Sequence, residues 1–209
     1  MLRVSTFSAK IKIMPRRPYH HGHLRAALLH AALQTIAEMG PAAFTLREVA
    51  RRAKVSHNAP YRHFPNKDAL LAAVATQGFR ELTQAMLDAG QKQVKALDKL
   101  KRSGLAYVEF ATRRPEHFTV MFDAPVCDTK DPEYKQASEQ AFNTLVACVR
   151  DCQQEGELPS GATLERALYA WSLVHGIAKL AVAGRFPFRT RDEMLKFAEF
   201  AIERSVAGT

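Results

Sequence analysis

Between Gly22 and Met39 apolar side chains recur at steps of three and four, at Leu24, Ala27, Leu28, Ala31, Ala32, Ile36 and Met39. Arg25, Gln34 and Glu38 are left for the other face, so the spacing predicts an amphipathic helix. Gly40-Pro41 predicts its end. Thr45 is a natural N-cap for the next helix, with Glu48 three residues on forming a capping box and Leu46, Val49, Ala50 and Ala53 turned inward. After about two and a half turns, Lys54-Val55 makes a tight connection. A third helix is expected from Ser56, again an N-cap, to Phe64, where Pro65 and Asn66 stop it. A fourth opens at Lys67 or Asp68 and buries Leu70, Leu71, Val74, Phe79, Leu82 and Met86.

Helical spacing continues over Lys92 to Arg113, Pro115 to Phe122, Glu133 to Glu155, Leu164 to Ala183 and Arg191 to Val206, with loops at Asp123 to Pro132 and Gly156 to Gly161. Strand-like alternation is nearly absent. The fold class is therefore all-α, about nine helices. It divides into an N-terminal arm (residues 1–21), a small helical unit sharing one core (22–82) and a larger helical domain (83–209). Ala167 to Ala183 is apolar nearly all round, which predicts burial on two sides, against the domain core and against a second subunit. Leu173, Ile177 and Leu180 on that helix, with Phe197 and Phe200 on the last, are the expected interface positions.

Charge changes the picture once it is located. The net charge is +9, yet the first seventy residues hold 12 of the 30 Lys and Arg and three of the 21 acids, so the whole excess lies there and the remainder is neutral. Such segregation predicts a footprint for a polyanion on one part of the molecule. No window has the roughly 18 uninterrupted apolar residues of a membrane span, and MLRVSTFSAKIKIM lacks the apolar core of a secretory signal. Cys127, Cys148 and Cys152 are odd in number and unpaired in spacing, which fits a reducing compartment, the cytoplasm. Met14 is a second candidate start.

Two short helices joined by a tight turn, inside a basic unit, form the pattern of a helix-turn-helix, and it fits Thr45 to Phe64. In that arrangement the start of the second helix meets base edges in the major groove, which here means Ser56, His57, Asn58 and Ala59. Asn58 can pair bidentately with adenine, and the Ala59 methyl can meet a thymine methyl. Pro60 falls within the first helical turn, where amides lack intrahelical partners, so it stiffens the segment at little cost.

The stretch FTLREVARRAKVSHNAPYRHFPNKDALLAAV resembles the N-terminal DNA-binding domain of the tetracycline-repressor (TetR) family, over about Gly22 to Leu82. The resemblance implies that Thr45, Tyr61, His63 and Lys67 contact phosphates while Arg47 and Ser56 to Ala59 face bases. WSLVHGIAKLAVAGRF, with Trp171, His175 and Gly176, resembles the C-terminal domain of one branch of that family, named for its Trp-His-Gly pattern, and FTVMF (118–122) fits the same branch.

The reading is then a homodimeric transcriptional regulator, not an enzyme. It is most simply a repressor of double-stranded operator DNA, released by an unknown small-molecule effector and using no cofactor. Phe110, Phe118, Met121, Phe122, Trp171 and His175 are candidates for the effector pocket, with core packing as the alternative for the first five and a satisfied structural histidine or an interface histidine as the alternative for His175. Two other functions remain open at this point. A metal-dependent hydrolase could use the histidines, from His20, His21, His23 and His30 to His57 and His63, but no carboxylate or cysteine completes a ligand set and no HExxH is present, so no metal is expected. A nonspecific DNA-coating protein would bind every sequence alike. Cys148 and Cys152, four apart on one helix, suit buried packing better than redox chemistry, since no cation flanks both.

Overall fold

The computed structural model describes residues 21–91, 93–123 and 130–207. The basic arm lies outside them except for His21, as do Met14 and Cys127. The described residues form eight α-helices and one 3₁₀ turn, with no strand: α1 (His21–Ala43), α2 (Leu46–Arg52), the 3₁₀ turn Pro60–Arg62, α3 (Lys67–Gln91), α4 (Ala96–Arg113), α5 (Pro115–Asp123), α6 (Pro132–Gln154), α7 (Thr163–Val182) and α8 (Arg191–Ala207).

The punctuation read from the sequence has identifiable physical causes. Gly40 breaks α1 with φ 78° and ψ 162°, a conformation closed to side chains with a Cβ, and the last turn resumes from Pro41. Thr45 caps α2, its Oγ1 accepting from the Glu48 amide at 3.2 Å. The expected capping box is only half built, because the Glu48 carboxylate turns to Arg51 and accepts from its Nε at 3.0 Å and its NH2 at 2.6 Å. At the other end of α2 the Val55 amide donates to Ala50 O and the Lys54 amide to Arg51 O, with Lys54 left-handed at φ 56°. This is a Schellman closure with lysine where glycine is usual.

The segment Ser56 to Phe64 departs from expectation. It is not an α-helix but a run of tight turns: the Ala59 amide donates to Ser56 O, His63 to Pro60 O, and only Pro60–Arg62 is helical, as 3₁₀. Pro60 has no N–H to give Ser56 O, which is taken by Ala59 one residue earlier, so the first α-type bond cannot form and the chain tightens.

A continuous core joins the small unit to the larger one. It runs from Leu28 and Phe44 through Leu70, Leu71 and Val74 to Phe118, Ile177 and Ile202. The helix α3 carries it, packing its first turns on α1 and its later turns on α4, α5 and α6, and it passes the expected boundary at residue 82 without a break. A smaller cluster of Leu100, Val149, Cys152, Leu158 and Ala167 closes the far end. Burial, then Glu157, pushes the Cys152 thiol up to about 12, and burial raises Cys148 too. Both are free thiols of low nucleophilicity.

Candidate functional site

The turn Ser56 to Ala59 is held from below. Pro60 and Phe64 are buried, Phe64 to 2% exposure, and the Arg25 guanidinium lies 5.5 Å from the Phe64 ring centre. Ser56, His57 and Asn58 are exposed, as are Thr45, Arg47 and Tyr61, while Ala59, His63 and Lys67 are half-buried. The 3₁₀ turn packs on α2, the helix that Thr45 caps and that carries Arg47.

Ion pairing sorts the basic residues in a way that spacing alone does not. Arg51 is paired with Glu48, and Arg52 with Glu38, one bond at 2.7 Å. The arginine hydrogen bonds hold both carboxyls below their ordinary range. Arg47, Lys54 and Arg62 are exposed and form no ion pair among the described residues. Lys67 is anchored: its ammonium donates to Ala42 O and sits 4.7 Å over the Phe44 ring, tying the start of α3 to the α1–α2 corner. Spacing alone gives no sign that Lys54 and Arg62 stand outside the ion pairs, since their availability follows from which neighbours Glu38 and Glu48 choose.

A second feature lies in the larger unit. A cavity of about 250 Å³ opens between α3, α4, α5, α6 and α7, lined by Phe79, Leu82, Met86, Ser103, Gly104, Tyr107, Phe122, Ser138, Ala141, Phe142, Leu145, Leu168, Trp171 and Val174. Of the residues expected there, Phe122 and Trp171 line it. His175 stands behind the wall, its Nδ1 2.8 Å from the Tyr107 hydroxyl. Phe110, Phe118 and Met121 are core instead. Phe118 is fully buried one turn before Phe122, packed under the Tyr107 and Phe122 rings, and Met121 faces Gly78 of α3. The Trp171 Nε1–H donates to the Tyr107 oxygen at 3.3 Å, so the phenolic proton is free to go to His175 Nδ1. Burial, with Lys179 nearby, holds His175 below its usual value and hence neutral.

The expected interface positions also divide. Ile177 is 6% exposed and belongs to the core of its own chain, because it lies with Val174 and Ala178 on the inward side of α7. Leu173 and Phe197 are half-buried, the Phe197 ring packed at a tilt against Phe186 and Phe188. Leu180 and Phe200 are exposed, as are Leu164 and Tyr169. Among the described residues no three His, Cys, Asp or Glu side chains converge as a metal site would need, and no helix is long and apolar enough to cross a membrane.

Residues 28–74 match the family model for bacterial regulatory proteins of the tetR family, and residues 100–204, half of the chain, match that of the tetracyclin repressor-like C-terminal domain. The chain belongs to the TetR family. Within that TetR fold, a solved protein of unknown function from Rhodococcus sp. RHA1 superposes with a TM-score of 0.78 at 33% identity, covering 91% of this chain and 98% of that one. An HTH-type transcriptional repressor of Mycobacterium tuberculosis is 39% identical over 71 residues, 34% of this chain and 38% of that protein, so the match spans well under half of this curated relative. The transcriptional regulator FadR of Bacillus subtilis, solved in complex with stearoyl-CoA, shares the TetR fold with a TM-score of 0.72 at 16% identity, over 88% of this chain and 98% of its own.

Proposed function

We propose that this TetR-family chain is a homodimeric transcriptional repressor of the cytoplasm, a binding protein rather than an enzyme. It leaves a near-palindromic operator when a small molecule enters the cavity between α3 and α7. The observation that carries the reading is the exposed Ser56–Asn58 turn, fixed on the buried Pro60 and Phe64, with Arg47, Lys54 and Arg62 exposed and in no ion pair among the described residues. A fixed polar turn reads base edges, and unpaired cations hold phosphates with the least desolvation already spent on acids. In this reading His57, Asn58 and Ala59 meet bases with Arg47; Thr45, Tyr61, His63 and Lys67 meet backbone, and Lys67 also braces the α1–α2 corner. The N-terminal third (22–82) binds DNA, and the rest (83–209) senses and dimerises.

Coupling between the two runs through α5. Phe122 lines the cavity, while His117 on the same helix lines the crevice shared with Arg25, Leu29 and His63 of the DNA-binding unit. A ligand that displaces Phe122 moves α5 against α1 and α3, the linkage a repressor needs.

Footprinting of the purified protein along the DNA upstream of its own gene tests the reading. Protection should cover two half-sites whose centres lie about 34 Å apart. Uniform coating of specific and random DNA alike would return the protein to the nonspecific class.

A further inference from the structure

The cavity is more selective than its apolar walls suggest. No Lys, Arg, Asp or Glu lines it. Four lining side chains carry a polar group, and three of those groups are engaged: Tyr107 with His175 and Trp171, Trp171 with Tyr107, and Ser138 with Lys135 O at 2.9 Å. Ser103 is the exception. It is 1% exposed, and its Oγ has no hydrogen-bond partner among the described residues.

The contrast with other helical hydroxyls in the same chain is direct. Thr35, Thr76, Thr83, Thr144 and Ser172 each donate back to the carbonyl four residues earlier, at 2.7 to 2.9 Å. Ser103 forgoes that bond on an α4 face it shares, one turn apart, with Tyr107. A buried hydroxyl without a partner lowers stability, and a site that keeps one gains specificity for a molecule that completes it. The volume adds a size. A cavity of about 150 Å³ suffices for a benzene ring, and this one is about 250 Å³.

We propose that the cavity selects an uncharged, largely hydrocarbon molecule of one or two rings that carries a single oxygen, which accepts a hydrogen bond from the Ser103 hydroxyl. A charged group would be stranded among apolar walls with no counter-ion. This rests on the reading of the cavity as the effector site, but it can be tested without DNA.

Trp171 is the chain's one tryptophan and lines the cavity, so its emission reports occupancy directly. Three non-fluorescent probes of one shape separate the possibilities: tert-butylcyclohexane, 4-tert-butylcyclohexanol and 4-tert-butylcyclohexanecarboxylate, each titrated into the full chain at neutral pH. The alcohol should bind about tenfold more tightly than the hydrocarbon, the worth of one hydrogen bond, and the carboxylate should not bind. Ser103→Ala should remove the alcohol's advantage and leave the hydrocarbon's affinity unchanged. The variant should melt at or above the parent, because the group it loses has no partner in the free protein. Carboxylate binding as tight as the alcohol's overturns the proposal, as do equal losses for alcohol and hydrocarbon in Ser103→Ala, or no binding of any probe. A protein that footprints an operator but ignores the alcohol fails this inference alone. One that binds the alcohol but no operator fails the repressor reading alone.

Discussion

Lys54 is the residue on which the helix-turn-helix bends, and it does so at φ 56°, where a side chain with a Cβ costs about 1–2 kcal/mol. The Schellman bonds of Val55 to Ala50 O and Lys54 to Arg51 O require that conformation, so the strain is held in place by the closure of α2. Glycine would remove the strain and give back part of the gain as unfolded-state entropy. Lys54→Gly should therefore stabilise the folded chain by roughly 0.5–1 kcal/mol, read as a higher denaturant midpoint, whereas Lys54→Ala should give no such gain. Equal midpoints for the two variants would mean that the turn is not strained. If Lys54 also contacts phosphate, Lys54→Gly should weaken operator binding while it stabilises the fold, the signature of a position kept for charge rather than for backbone fit.

At the scale of elements, α5 brings together what the sequence could not. Its existence between Pro115 and Asp123 was readable from Pro115 and the apolar FTVMF run, and α3, α4, α6, α7 and α8 fall within a few residues of their periodic spans. The chemistry of single positions was less legible. Phe118 and Phe122 share helical spacing, yet one seals the core and the other lines the cavity, because neighbouring α4 and α7 decide which side is open. Ser103 gave no signal, since a small polar residue on a buried helix face usually bonds back to its own helix. The Ser56–Phe64 segment has the caps and length of a helix but tightens into turns, because the first helical bond needs the amide that Pro60 lacks. His117 shows what placement does to a titrating group: it is 1% exposed, neither ring nitrogen has a hydrogen-bond partner among the described residues, and burial holds its pKa below 6.5, against the pull of Glu81 and Glu116 and with the help of Arg114. The unfolded chain then takes up the proton at higher pH than the folded one, so stability is complete above pH 6.5 and is lost as the pH falls below it through the folded pKa. His175 is shifted in the same direction. Denaturant midpoints measured at pH 7.5 and 5.5 should fall for the parent and fall less for His117→Leu. The same drop in both would remove His117 from the account.

For the whole molecule, the question is what covers the outward side of α7. Val174, Ile177 and Ala178 point into the core, while Tyr169, Leu173, Gly176 and Leu180 follow one another at steps of three and four along an adjoining side, where Leu173 is half-buried against the core edge, Leu180 is 47% exposed and Tyr169 59%. Phe200 of the neighbouring α8 is also 59% exposed, and a Cβ on Gly176 would meet nothing within 4 Å, so another helix can approach closely there. An exposed apolar stripe of this kind on a helix is a surface for a partner, and an isologous contact with a second copy pairs it with itself. Two DNA-binding units held by such a contact engage both half-sites at once, which converts the second binding event into an intramolecular one. Leu180→Glu places a charge on the exposed C-terminal end of the stripe without touching the core, unlike Ile177→Glu, which would bury it within its own chain. The variant should sediment as a monomer, retain its helical content and Trp171 emission, and lose operator affinity by about 10²-fold or more. A Leu180→Glu protein that remains dimeric would move the interface elsewhere. A monomeric variant with undiminished affinity would instead dissolve the link between dimerisation and operator recognition on which the two-half-site geometry depends.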